Sequence, residues 1–299
     1  MKIFAIIFLM ATFYKKNTLT KTITFMSLMA GVNIVLSILG FFIPFLSVIL
    51  VIFLPLTSAL VEVNCDTKYF PIYAFGTIGI SIAATFYNID FTIFYIVPSI
   101  ITGFLFGLMS KKKVAPIWSI FTASLAQTLI SLLFLPLLSF LFDKNFVDVL
   151  LQIFNTSFAK VEDYLLLAFF LLALVQTILS FIVCRNELTK LGYEQNKISD
   201  FSAIVNYSGI GAIILSIGTF FIYKGIGYLF TTIGLFLAFF IMQKQTENRE
   251  YRKLVIDAII VFLNIFVFAL FNPLMTTGQL LLIGFSPLLI SIISLLKIK

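Results

Sequence analysis

Four amide side chains are the polar groups that the sequence places deepest within its apolar segments. They are Asn33, Gln127, Gln176 and Asn264. Counted from the nearest basic loop, each lies about 8 to 12 residues into its segment, or ~12–18 Å at the rise of an α-helix. The four amides therefore share one predicted layer near the middle of a membrane, where an amide facing lipid would be costly.

Two of these amides occur in near-identical hexapeptides, AQTLIS at 126–131 and VQTILS at 175–180. If the helices run antiparallel, Gln127 and Gln176 meet at the same depth and can hydrogen-bond each other or a shared ligand. Polar pairs that join membrane helices contribute roughly 0.6–2 kcal/mol each. Helix association and ligand contact are both open readings of these amides.

The sequence excludes most catalytic chemistry. It contains no histidine, which removes the commonest metal ligand and general base. No carboxylate lies near the middle of a predicted span, and Asp257, one turn after Lys253, is predicted to form an interfacial ion pair. We therefore expect a non-catalytic protein with no cofactor and no metal site. A lipid-modifying enzyme that uses Asp257 or Glu62 is a minor alternative.

Small residues at helical spacing predict close helix contacts. Ser27 and Gly31, with Ala30 beside them, form one small-x-x-x-small face, and Gly103 and Gly107 form a G-x-x-x-G pair. Such faces let helix backbones approach closely, within one chain or between chains. Packing within the chain and docking of a partner are both open for the two faces.

The helices that position these residues follow from composition. The chain has 299 residues, 61% of them hydrophobic and 11% charged, with a mean hydropathy of +1.13. Soluble domains are about 45–50% apolar and about 25% charged, so lipid is the solvent of this chain. Residues 1–14 form an apolar run too short to span. Ten longer segments lack charge: 22–41, 44–61, 70–87, 91–109, 115–142, 164–184, 203–222, 226–242, 254–271 and 279–296. The predicted fold is an all-α polytopic integral membrane bundle of about ten transmembrane helices.

The basic residues indicate orientation. They cluster in five places: Lys15/Lys16/Lys21, Lys111–Lys113, Arg185/Lys190/Lys197, Lys244/Arg249/Arg252/Lys253 and Lys297/Lys299. An even number of segments separates each cluster from the next, so all five are predicted on the cytoplasmic side together with both termini. This distribution indicates membrane orientation rather than nucleic-acid binding. The abundance of Phe, Ile and Lys is typical of AT-rich coding and indicates a bacterial source. Together with the apolar segments, it predicts a multi-pass protein of a bacterial plasma membrane.

Three stretches carry a family resemblance: KTITFMSLMAGVNIVLSILGFFIP, VIFLPLTSALVEV and SIITGFLFGLMSKKK. In this order they resemble the opening of the YybS-like family, bacterial polytopic membrane proteins with a domain of unknown function. That family in turn distantly resembles the S-components of energy-coupling factor transporters, which capture vitamins or metal ions. The S-component resemblance implies a six-helix bundle at 22–184. It leaves outside that bundle a short apolar N-terminal segment with a basic cytoplasmic stretch at 1–21 and a four-helix membrane extension at 185–299.

The same resemblance implies a role for the small-residue face of the first helix. In S-components this face docks onto a transmembrane coupling subunit, and Ser27, Ala30 and Gly31 fit it, with Ser27 in place of the usual alanine. The leading hypothesis is a subunit that binds a small or amphipathic ligand and needs an ATPase-bearing partner, because the chain has no nucleotide-binding motif. The alternative is a non-transporting scaffold or regulator whose cytoplasmic loops recruit soluble partners.

Overall fold

The described chain is helical throughout its regular elements. The computed structural model describes residues 19–85, 92–142, 158–193, 202–247, 250–271 and 285–295, and these ranges contain no strand. The apolar run at residues 1–14 lies outside them. The described helices are α1 (Leu19–Phe42), α2 (Pro44–Asn64), α3 (Phe70–Ala84), α4 (Val97–Lys111), α5 (Pro116–Phe142), α6 (Phe158–Lys190), α7 (Ser202–Phe220), α8 (Lys224–Glu247), α9 (Tyr251–Phe271) and α10 (Phe285–Leu295). A π-helical turn, Thr92–Ile96, leads directly into α4.

Prolines mark several of the helix starts. Pro44 opens α2, Pro71 and Pro98 lie in the first two positions of α3 and α4, and α5 begins at Pro116. The first turn of a helix leaves its N–H groups without intrahelical partners, so a residue that lacks an N–H and has a fixed φ is tolerated there. Pro55 lies inside α2 instead.

Six described helical segments are long and apolar enough to cross a membrane, judged by length and composition. They are Leu19–Phe42, Thr92–Lys111, Pro116–Phe140, Leu166–Lys190, Ala203–Phe220 and Lys224–Met242, and Ile49–Asn64 and Ser286–Leu295 are shorter apolar helices. Each of the ten segments marked by loss of charge overlaps one helix. Ten membrane crossings and two cytoplasmic termini stay predictions, because helix position alone does not establish a crossing.

The chain divides into two compact units. Among described residues, the first contains α1 to α5 and α6 from Phe169 onward, and the second contains the beginning of α6 and α7 to α10. The predicted domain boundary near residue 184 stays a prediction. In the first unit α2 is central: every residue from 54 to 63 is buried, and the helix packs on α1 and α4. In the second unit α10 contacts α7, α8 and α9.

Candidate functional site

The two glutamines of the repeated hexapeptide are brought together in the first unit. The Gln127 side-chain amide of α5 donates a hydrogen bond to the Gln176 carbonyl of α6. One turn away, the Ser124 and Thr177 hydroxyls lie 2.6 Å apart. Thr102 of α4 donates to Gln127 Oε1 at 3.4 Å. The amides therefore join α5 to α6 in this structure, and their contact with a ligand stays a prediction.

Asn33 belongs to a different group of polar side chains. It is fully buried, and its Nδ2 donates to Thr57 Oγ1 of α2 at 2.8 Å. The Tyr73 hydroxyl of α3 donates to the same oxygen at 3.3 Å. No hydrogen bond between described residues joins Asn33 to Gln127 or Gln176. Asn33 thus links α1 to α2, and its predicted ligand contact is untested.

The fourth predicted amide cannot be placed in either group. Asn264 lies in helix α9, but its side chain is outside the described part of the chain.

The small-residue face of α1 borders an open groove. The groove lies between α1 and α3, encloses about 580 Å³, and has a mainly apolar lining that includes Ser27, Ala30, Gly31 and Gly76. Ser27 and Gly31 are exposed, and a methyl group added to Gly31 would meet no described heavy atom within 4 Å. Ser27 and Gly31 are therefore open on the groove side, whereas Ala30 between them is partly buried against the hydrophobic core of the unit.

The second small-residue pair, Gly103 and Gly107, is packed against another helix of the same chain. A Cβ built on Gly103 would lie 2.1 Å from Pro55 O, and one on Gly107 would lie 2.7 Å from Glu62 Cβ. Both residues are buried against α2. The G-x-x-x-G pair is thus a packing face within the chain, because only a residue without Cβ allows α2 and α4 to approach this closely.

Sequence reasoning missed the polar side of the groove. Tyr73 and Thr77 of α3 both line it, and Ser81 continues the same helix face as a buried hydroxyl. The signal was present in the sequence, because Tyr73, Thr77 and Ser81 recur every four residues and so lie on one helical stripe.

Glu62 forms a buried ion pair at the end of α2. Its Oε1 lies 2.9 Å from Lys111 Nζ of α4 and accepts a hydrogen bond from Thr67 Oγ1 at 2.5 Å. Lys111 also donates to the Cys65 carbonyl at 3.0 Å. The lysine that ends the G-x-x-x-G helix thus ties α4 to the turn after α2.

The predicted Asp257–Lys253 ion pair is not the arrangement observed. Lys253 Nζ lies 3.0 Å from Glu250 Oε2, one turn earlier. Asp257 is fully buried and accepts a hydrogen bond from Gln245 Nε2 of α8 at 2.7 Å. The prediction of an i,i+4 ion pair was wrong because Lys253 pairs with Glu250 on the more exposed side of the helix, whereas Asp257 faces the interior of the second unit.

No described group of three or more His, Cys, Asp or Glu side chains is placed to hold a metal ion. The two cysteines, Cys65 and Cys184, are both buried, and neither forms a disulfide.

These features together describe a membrane protein with several apolar helices. Residues 31–167 match the family model described as "Predicted membrane protein (DUF2232)". The match confirms the resemblance to a membrane protein family of unknown function, from α1 to the beginning of α6. No curated protein and no solved structure matches the chain. The likeness to S-components and the location in a bacterial plasma membrane stay predictions.

Proposed function

We propose that the protein is an S-component-like membrane subunit that binds a small or amphipathic ligand and docks, through α1, onto an apolar transmembrane helix of an energy-coupling partner. The observation that carries the docking step is the open groove between α1 and α3, with the small-residue face of α1 along one wall. Energy for transport comes from the ATPases of that partner.

The chemistry of the groove favours a helix as its occupant. Membrane helices associate by van der Waals packing where small residues let backbones come close. Ser27, Ala30 and Gly31 provide such a surface on α1, and Gly76 provides a small residue on the α3 wall. The other small-residue pair of this chain, Gly103 and Gly107, is already packed against a helix, α2.

The ligand site is proposed to involve the buried amides. Asn33, Gln127 and Gln176 carry donors and acceptors in an otherwise apolar interior, and their present partners are other side chains. A ligand with amide, hydroxyl or carbonyl groups would exchange these hydrogen bonds for its own. Loss of ligand binding in Gln127→Leu and Gln176→Leu, with retained partner docking, is the expected signature.

The docking step is tested by affinity purification of the full chain from its native membrane in mild detergent. Wild type is compared with Ser27→Leu and Gly31→Leu, and the retained proteins are identified by mass spectrometry. Gly218→Leu is the matched control, because Gly218 is also an exposed helical glycine with no described heavy atom within 4 Å of an added Cβ.

We expect an ATPase-bearing module with wild type and with Gly218→Leu, and its loss with both α1 variants. Equal recovery with all four chains would refute docking through this face. If no module is recovered with wild type, the scaffold hypothesis takes its place. Replacement of the charged residues in the segments predicted to face the cytoplasm, 185–200 and 243–253, then becomes the next test.

A further inference from the structure

A buried carboxyl–amide pair lies in the second unit, apart from the groove and the amides already described. Asp257 of α9 is 0% exposed and Gln245 of α8 is 3% exposed. Gln245 Nε2 donates to Asp257 Oδ2 at 2.7 Å. The two outer atoms, Asp257 Oδ1 and Gln245 Oε1, are both buried and have no hydrogen-bond partner among the described residues.

Both unpartnered atoms are oxygens that accept hydrogen bonds. A buried carboxylate is stable only when it is paired with a cation or several donors, and otherwise it binds a proton. Among the described residues, no cation forms an ion pair with Asp257. Lys253, one turn before it on α9, attracts the carboxylate but is bound to Glu250. Lys244 directly precedes Gln245 on α8, Arg252 is exposed, and the described residues of α10 carry no charge.

One proton resolves both unpartnered oxygens. A carboxylic acid and a primary amide form two antiparallel hydrogen bonds, N–H to carbonyl and O–H to carbonyl. The first of these bonds is present between Gln245 Nε2 and Asp257 Oδ2. Each outer oxygen is bonded to the same carbon atom as an inner atom of that hydrogen bond, so the two planar groups can form the second bond when they lie in one plane. A proton on Oδ1 then donates to Oε1 and closes the ring.

We infer that Asp257 and Gln245 form a proton-binding site where α8 and α9 meet. In the occupied state the Asp257 carboxylic acid is neutral, and all four polar atoms of the pair are hydrogen-bonded. Release transfers the proton from Oδ1 to water and leaves a carboxylate with one neutral donor. That anion needs further donors, so proton release is coupled to entry of water between the end of α8 and the beginning of α9.

The site is tested by infrared spectroscopy of the full chain in lipid vesicles over a pH series. At about pH 5, wild type is expected to show the C=O stretch of a protonated carboxyl group that fades as the pH is raised, and Asp257→Asn is expected to lack it. The asparagine amide can close the same ring with Gln245, so this variant keeps the fold. Glu250→Gln is the control, because Glu250 is partly exposed and paired with Lys253, and it is expected to retain the band.

A second variant keeps the test decisive if Asp257→Asn does not fold. Gln245→Met removes the N–H donor to the Asp257 carbonyl, so the band is expected to move to higher frequency without disappearing. Hydrogen exchange of the peptides that end α8 and begin α9 is expected to rise at alkaline pH in wild type and to stay constant in Asp257→Asn. Absence of the band in wild type, its persistence in Asp257→Asn, or an unmoved band in Gln245→Met would overturn the proposal.

Discussion

A single methyl group distinguishes the two small-residue faces of the first unit. At Gly103, an alanine Cβ would lie 2.1 Å from Pro55 O and 2.6 Å from Ser58 Cβ, so α4 must move away from the central helix α2. Overpacking of this kind costs about 1–3 kcal/mol. The helix propensity of alanine returns ~1 kcal/mol relative to glycine. We therefore expect Gly103→Ala to lower the free energy of unfolding by about 0–2 kcal/mol.

Gly31→Ala is the matched comparison, because the same methyl group meets no described heavy atom there. The propensity gain is common to both variants, so it cancels in their difference and leaves the overpacking cost of about 1–3 kcal/mol. Unfolding in mixed micelles is followed by the fluorescence of Trp118, the single tryptophan, which lies in α5 of the same unit. Equal stability of the two variants would refute the close α2–α4 contact.

Two further predictions concern polar pairs of the first unit and use the same unfolding assay. Lys111→Met leaves the fully buried Glu62 carboxylate without its cation and is expected to lower the free energy of unfolding by about 3 kcal/mol. Glu62→Gln is expected to lower it by about 1 kcal/mol, because the partly exposed Lys111 can reach water. Equal losses of stability in the two variants would contradict this asymmetry. For Gln127→Leu and Gln176→Leu, a double-mutant cycle is expected to give a coupling energy of about 0.6–1.7 kcal/mol, and additive effects would argue against the observed hydrogen bond.

Helix positions and one side-chain contact were accessible from the sequence. Loss of charge located every described helix, because lipid requires long apolar segments with internally satisfied backbones. The repeated hexapeptides also brought Gln127 opposite Gln176, since equal depth in antiparallel helices places both amides at one level. Helix ends were less accurate. Helix α6 begins at Phe158, six residues before the predicted apolar segment, because Lys160, Glu162 and Asp163 are charged and loss of charge defined the segment.

The use of each small-residue face was not accessible. Ser27/Gly31 and Gly103/Gly107 have the same spacing, yet the second pair is filled by α2 and the first borders a groove. Sequence spacing predicts which residues share a helix face. Which helix packs on that face depends on the arrangement of the other helices. The partner of Asp257 was missed for a related reason, because Gln245 belongs to the preceding helix and no i,i+4 rule reaches it.

Hydroxyl groups of α2 link the two walls of the groove, and one of them, Ser58 Oγ, lies 3.3 Å from the Tyr73 hydroxyl. Thr57 Oγ1 of α2 accepts hydrogen bonds from Asn33 of α1 and Tyr73 of α3, and it donates to the Leu54 carbonyl. Both walls are therefore tied to one point on the most buried helix of the unit, which fixes their separation before any partner arrives. A preformed groove loses less conformational freedom on binding than one that must open. Asn33 thus contributes to the proposed docking of α1 by positioning that helix, whether or not its amide also contacts a ligand.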